Sequence, residues 1–183
     1  MKKFKNSSIF LDRDGTLNVD HGYVCNPEKI QLLDGIIPAI QLLKNAKYKL
    51  FLFTNQSGVS LGKYTKADVD ACNNRLVDLI GIQDCFTEIC IATEPPSQEK
   101  SYNYRKPSPR FILEMIKKYN LDPKKSYMVG DKDTDALAGI RAGINAIYLA
   151  TGAPPTEFMV NIINSGQAIG FPSLLTFAQY LTA

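Results

Sequence analysis

Five short apolar runs punctuate the chain: Ile9 to Leu11, Leu50 to Phe53, Ile89 to Ile91, Tyr127 to Val129 and Ala146 to Leu149. Polar residues do not alternate with apolar ones inside them, which is how strands covered on both faces read. Between them the apolar positions fall at helix spacing. Ile36, Ala39, Ile40 and Leu43 form one stripe, and Val69, Cys72, Leu76 and Leu79 form another after Thr65 and Asp68, which occupy capping-box positions. Ser108 and Pro109 suit a cap and a first helical residue ahead of Ile112, Met115, Ile116 and Tyr119. Gly143 suits the stop of a helix begun near Asp133. Strand and helix in alternation, with helices for both faces, predict an α/β fold with a doubly wound parallel sheet and right-handed crossovers. A length of 183 residues predicts one domain over 1–183, with little to spare.

Composition narrows the partners. With 45% hydrophobic and 21% charged residues the chain can bury a core, so disorder of the bulk is excluded. A net charge of +3 is too small to argue for nucleic acid or an anionic membrane. Cys25, Cys72, Cys85 and Cys90 form no CxxC pair, and Ile9 to Leu11 after Lys2, Lys3 and Lys5 is too short for a signal-peptide core. Reduced thiols and a cytoplasmic location are the expectation. Residues 158 to 183 lack charge, but Asn161, Asn164, Gly166, Gln167, Pro172 and Gln179 interrupt them, so the tail is expected to pack on the fold instead of spanning a membrane. There is no internal repeat, and without a coiled-coil pattern a monomer is the expected state. Two connections, 14–34 and 92–107, are longer than a minimal crossover needs.

In a parallel sheet ligands bind beyond the carboxyl ends of the strands. Here those ends carry Asp12-Arg13-Asp14-Gly15-Thr16, Thr54-Asn55-Gln56-Ser57-Gly58 and Gly130-Asp131-Lys132-Asp133-Thr134-Asp135, with Lys106 in the loop after the third run. Asp12 and Asp14, two apart, leave the same face if extended geometry persists. Adjacent carboxylates repel unless a hard cation is shared, and Asp131 from another strand end supplies a third oxygen donor suited to Mg²⁺. Taken alone, Asp12 and Asp14 could form a turn with Gly15, and Asp133 and Asp135 could simply open a helix. A calcium loop at Asp131, Asp133 and Asp135 fails, because Ala136 and Ala142 stand where Gly and Glu are needed. Gly58-Val59-Ser60-Leu61-Gly62-Lys63 falls one residue short of a Walker loop, and Tyr64 replaces the magnesium-binding hydroxyl. That stretch reads as a connecting loop. Without GxGxxG or GxSxG, and with a single histidine, any nucleophile must be a carboxylate.

Together Asp12-Arg13-Asp14-Gly15-Thr16, Thr54-Asn55-Gln56, Arg105-Lys106-Pro107 and Gly130-Asp131-Lys132 resemble, in order and spacing, the four motifs of the haloacid dehalogenase superfamily of phosphohydrolases. Residues 11–24, 54–58 and 127–132 resemble most closely its branch of heptose bisphosphate and histidinol phosphatases. The resemblance implies Mg²⁺-dependent hydrolysis of a sugar phosphate, such as a heptose 1,7-bisphosphate of lipopolysaccharide precursor synthesis, or histidinol phosphate as the alternative. It implies Asp12 as nucleophile, Asp14 as acid and base, Thr54 and Lys106 on the phosphoryl oxygens, and Mg²⁺ on Asp12, Asp131 and the backbone carbonyl of Asp14. Asp20, His21, Gly22 and Tyr23 match a substrate-contacting flap after the first strand, and Arg13, Asn55, Gln56, Ser57, Arg105 and Lys132 complete the implied substrate-binding set. The fold is expected to be capless, since Thr16 to Thr54 has room for one loop and one helix. The branch's zinc-loop positions read Cys90, Ala92, Tyr102 and Tyr104, so no zinc is expected there. Two non-enzyme readings compete. A receiver-like domain would need its phospho-acceptor near Thr54, where no aspartate stands; a catalytically retired relative would not need every motif position filled.

Overall fold

The computed structural model describes residues 6–96 and 103–183. Strands β1 (Asn6–Leu11), β2 (Lys49–Asn55), β3 (Glu88–Ala92), β4 (Leu121–Gly130), β5 (Asn145–Leu149) and β6 (Ala168–Phe171) form one sheet in the order β3-β2-β1-β4-β5-β6. Every pairing is parallel. The order reverses direction between β1 and β4, so the crevice at that switch point lies over the ends of β1, β2 and β4. The predicted doubly wound sheet is present, and the chain adds a sixth strand that its short length, Gly170 and exposed Ile169 hide from a periodicity reading.

The helices are α1 (Ile36–Asn45), α2 (Lys66–Ile80), α3 (Arg110–Tyr119), α4 (Asp133–Ala142), α5 (Glu157–Asn164) and α6 (Leu174–Thr182). The Thr65–Asp68 capping box opens α2, and Gly143 ends α4 at φ 73°, as the sequence predicts. Helix α3 begins at Arg110, one residue late, with Pro109 at its cap and the Ser108 hydroxyl accepting from the Arg110 N–H. One face of the sheet packs Ile9, Leu11, Leu50 and Leu52 against Ile40, Leu43, Cys72 and Leu76, with Phe177 of the tail sealing that layer. The other packs Phe10, Phe51 and Phe53 against Phe111, Ile112 and Met115. The tail is packed, and no helix among the described residues is long and apolar enough to cross a membrane. Between β1 and β2 lie only the flap, one turn of 3-10 helix and α1, which leaves the crevice uncapped.

Candidate active site

β1 ends at Leu11, so Asp12 sits at the first position beyond the ladder, 6% exposed, with its N–H donating to the Val129 carbonyl of β4. Three successive N–H groups, of Thr16, Leu17 and Asn18, then turn back onto the Arg13 carbonyl. That tight turn ends the two-residue alternation, and Asp14 falls outside the group of acids that gathers with Asp12, which corrects the expectation that the two side chains converge on one point. Asp12 joins Asp131 and Asp135, one carboxylate oxygen of each lying within 4.8 Å of the other two. Asp14 instead takes the Arg13 guanidinium (2.9 to 3.1 Å), Asn18 Nδ2 (3.0 Å) and Gln56 Nε2 (3.0 Å), leaving its backbone carbonyl for the implied cation role.

Lys106 is 1% exposed and places Nζ 2.7 Å from Asp12 Oδ1, 2.6 Å from Asp135 Oδ1 and 2.7 Å from the Phe53 carbonyl. An ammonium has three donors, and these three oxygens surround it. Its loop is held by Asn55, whose Nδ2 donates to the Lys106 carbonyl at 3.0 Å and whose Oδ1 accepts from the Lys106 N–H at 2.9 Å. Burial pushes the Asp12 carboxyl up to about 6, with Lys106 pulling the other way and Asp135 and Asp14 adding to the rise. Burial likewise lifts Asp131 to about 6 against the pull of Lys132. Asp135 is also raised by burial, again opposed by Lys106. Lys106 resists burial, because Asp12 and Asp135 raise its pKa above the ordinary value.

The donor set fits Mg²⁺. Three buried carboxylates from two strand ends and α4 face one point, and the buried Oδ1 of Asp131 accepts no hydrogen bond from the described residues. All are hard oxygen donors, and a cation there would offset both the burial that chiefly raises their pKa values and the smaller repulsion among them. Backbone shape protects this cluster. A Cβ at Gly152 would stand 1.9 Å from Asp131 Oδ2 and one at Gly15, where φ is +81°, 2.4 Å from it. Gly152→Ala is therefore expected to push Asp131 aside and raise the Mg²⁺ concentration for half-maximal activity at least about tenfold; a titration of rate against Mg²⁺ measures it, and an unchanged midpoint would contradict the packing argument.

Two cavities open beside the acids. The larger, about 410 Å³, is lined by Asn55, Ser57, Arg105, Asp131, Lys132 and Thr156 among others. The smaller, about 150 Å³, is lined by Asp14, Asp20, Gly22, Tyr23, Tyr64 and neighbours, and shares Asn55, Ser57 and Lys132 with the first. The flap is tied across them by Asp20 Oδ2, 2.8 Å from Lys132 Nζ. Burial would raise the Asp20 pKa, but Lys132 and the Gly22 N–H outweigh it and hold it low. Tyr23 is exposed beneath Lys63 Nζ, 3.3 Å from its ring centroid, and His21 is exposed at the flap surface.

Of the residues implied by the sequence, Asp12, Thr54, Lys106 and Asp131 gather in the crevice, while Ser57, Arg105, Lys132 and the flap line its mouth. Two implied substrate contacts are corrected. Arg13 is fully buried, donating to Asp14 and to Asn73 Oδ1 of α2, so no substrate reaches it. The Gln56 amide is 3% exposed and spent on Asp14, Thr54 and Tyr64. Asn55 lines both cavities while its amide holds the Lys106 backbone. Asp135 belongs to the site although its sequence position reads as an ordinary first-turn helix acid, and no local spacing marks it. In the former zinc-loop positions, Cys90 is buried beside Phe111 and Met115 with its thiol pushed up to about 12 by burial, and Ala92 is buried. Tyr104 donates its hydroxyl to Glu114 and its N–H to Glu94 and lies under the Arg110 guanidinium. Tyr102 lies outside the described residues.

Residues 9–143 match the family model of the haloacid dehalogenase-like hydrolases. The chain belongs to that family. Its relatives include D-glycero-beta-D-manno-heptose-1,7-bisphosphate 7-phosphatase of Pasteurella multocida (strain Pm70), 43% identical over 82% of this chain and 85% of that protein. The enzyme of the same name from Escherichia coli (strain K12) is 36% identical over 81% and 82%. In fold the chain is similar to the crystal structure of D,D-heptose 1,7-bisphosphate phosphatase from B. bronchiseptica complexed with magnesium and phosphate, with a TM-score of 0.80, 24% identity and coverage of 97% and 98%.

Proposed function

We propose that the chain is a Mg²⁺-dependent phosphatase that removes the 7-phosphate of D-glycero-beta-D-manno-heptose 1,7-bisphosphate through an aspartyl-phosphate on Asp12. The observation that carries this reading is the buried Lys106–Asp12 pair at 2.7 Å beside Asp131 and Asp135, in a chain whose relatives at 36 and 43% identity bear that enzyme's name. Asp12 is the one member of the acid cluster at the end of the central strand β1, open to the crevice on one side and charge-balanced on the other. Its free oxygen attacks phosphorus; the P–O bond to the sugar breaks, and the sugar oxygen takes a proton from Asp14 after that side chain turns from Arg13. Asp14 then takes a proton from the water that attacks the acyl-phosphate, which releases phosphate and restores Asp12. Thr54 donates its hydroxyl to a phosphoryl oxygen, and the Lys106 charge lets an anionic nucleophile meet an anionic phosphate. Asp12, Asp131 and the Asp14 carbonyl, with Asp135 beside them, would hold Mg²⁺, which would supply further charge neutralisation on the transferring group.

A bisphosphate suits the two cavities, since Arg105 and Lys132 stand at the larger one, where a second phosphate would meet two cations. Rates on the alpha and beta heptose 1,7-bisphosphates, histidinol phosphate and fructose 1,6-bisphosphate test the assignment. The beta anomer is expected to lead, and a higher kcat/KM on histidinol phosphate would overturn the substrate while leaving the reaction intact. Tyr104, at one of the zinc-loop positions, is instead held by Glu94, Glu114 and Arg110. Elemental analysis of the purified protein is expected to find far less than one zinc per chain, and a tightly bound stoichiometric zinc would refute this.

A further inference from the structure

The loop from Gly58 to Tyr64, which reads in the sequence as a mere connection, is built around one side chain. Its turns are closed by Leu61 N–H to the Ser57 carbonyl, Gly62 N–H to Val59 and Lys63 N–H to Gly58. Gly58 has no Cβ, and one placed there would stand 2.3 Å from the Tyr64 ring, so the phenol lies in a slot that only glycine leaves open. From that slot the Tyr64 hydroxyl donates to Gln56 Oε1 at 2.8 Å, and Gln56 Nε2 donates to Thr54 Oγ1 at 2.8 Å and to Asp14 Oδ2 at 3.0 Å. We infer that Tyr64 is a positioning residue that acts through Gln56 to aim the Thr54 hydroxyl at the phosphoryl group. This rests on the reading of Thr54 as a phosphoryl-oxygen donor.

The argument is one of donors and acceptors. An amide presents either its two N–H donors or its carbonyl to a given side. With Tyr64 donating to Oε1, the N–H side faces Thr54 and Asp14. Thr54 Oγ1 is then an acceptor toward Gln56, and its own hydrogen is turned away, available to the substrate. If Oε1 loses its donor, the amide gains a second orientation, in which the Thr54 hydroxyl donates to Gln56 and Oε1 faces the Asp14 carboxylate. Both changes disable the site. Tyr64 suits the task because its half-buried phenol is held protonated, burial raising its pKa above the ordinary tyrosine value. The same ring lies 6.3 Å from that of Tyr23 and lines the smaller cavity, so the loop that aims Thr54 also seats the flap.

The test is a double-mutant cycle of Tyr64→Phe and Gln56→Leu, read as kcat/KM on heptose 1,7-bisphosphate and on p-nitrophenyl phosphate and as the inhibition constant for inorganic phosphate. Phenylalanine keeps the slot filled, and thermal melts confirm that each variant is folded. Tyr64→Phe is expected to lower kcat/KM about tenfold on both substrates, the upper end of what one neutral hydrogen bond contributes, and to weaken phosphate inhibition, with the Mg²⁺ midpoint unchanged. In the Gln56→Leu background the same change is expected to cost nothing further. Multiplying losses, or no loss in the single variant, would overturn the inference. Thr54→Val serves as the separate control: near-normal activity there would overturn the role of Thr54, whereas a large loss there with multiplying losses in the cycle would overturn the role of Tyr64 alone.

Discussion

Asp12→Asn is expected to abolish phosphate release with Mg²⁺ present, by a factor of at least about 10⁴. The substitution is nearly isosteric and removes a charge whose burial, with the repulsion of Asp135 and Asp14, outweighs the attraction of Lys106, so the protein is expected to melt no lower than the parent. Loss of activity with retained stability separates a chemical role from a structural one. The amide is a poor nucleophile and presents no anion to the cation site, so neither more substrate nor more Mg²⁺ restores the rate. A malachite-green assay across Mg²⁺ concentrations measures this, and more than a few per cent of parental activity would remove Asp12 from the centre of the mechanism.

Lys106→Met is expected to have the second largest effect, on stability as well as activity. Lys106 is buried between Asp12 and Asp135, and removing one member of a buried ion network leaves its partners uncompensated, at a cost of about 3–5 kcal/mol. For a chain of this size that corresponds to a fall in melting temperature on the order of 10 °C. Mg²⁺ is expected to recover part of the loss by standing in for the missing charge, while the phosphatase rate stays far below the parent's. Metal-free and Mg²⁺-loaded melts of parent and variant supply the comparison. Equal melting temperatures without metal would show that the buried pairs contribute no stability.

The difference between what was legible in the sequence and what was not follows from what each kind of signal encodes. Parallel strands buried on both faces are nearly uninterrupted apolar runs, so the ends of β1, β2 and β4 could be located, and the polar residues after them had to meet at one sheet edge. That geometry makes Asp12, Thr54 and Asp131 legible together. The direction of each side chain was less accessible. Arg13, between Asp12 and Asp14, turns into the protein because Asn73 of α2 waits for it, a contact across sixty positions that no local spacing reveals. Gln56 similarly looks like a substrate contact by adjacency, yet spends its amide on Asp14, Thr54 and Tyr64. Asp135 was hidden by ordinary helix chemistry, since acids are common in a first turn, and only its burial against Lys106 marks it as part of the site. Strand β6 was hidden by its four-residue length and partial exposure.

The covalent step on Asp12 is the claim on which the rest depends, and trapping tests it most directly. In Asp14→Asn the second step lacks its base, while p-nitrophenyl phosphate carries a leaving group that departs without a proton, so the phosphoenzyme is expected to accumulate. Borohydride added after mixing reduces an aspartyl-phosphate to homoserine, and peptide mass analysis locates it. Homoserine at position 12, in proportion to the p-nitrophenol released, is the predicted result; release of p-nitrophenol with Asp12 unmodified, or homoserine at another acid, would contradict the account.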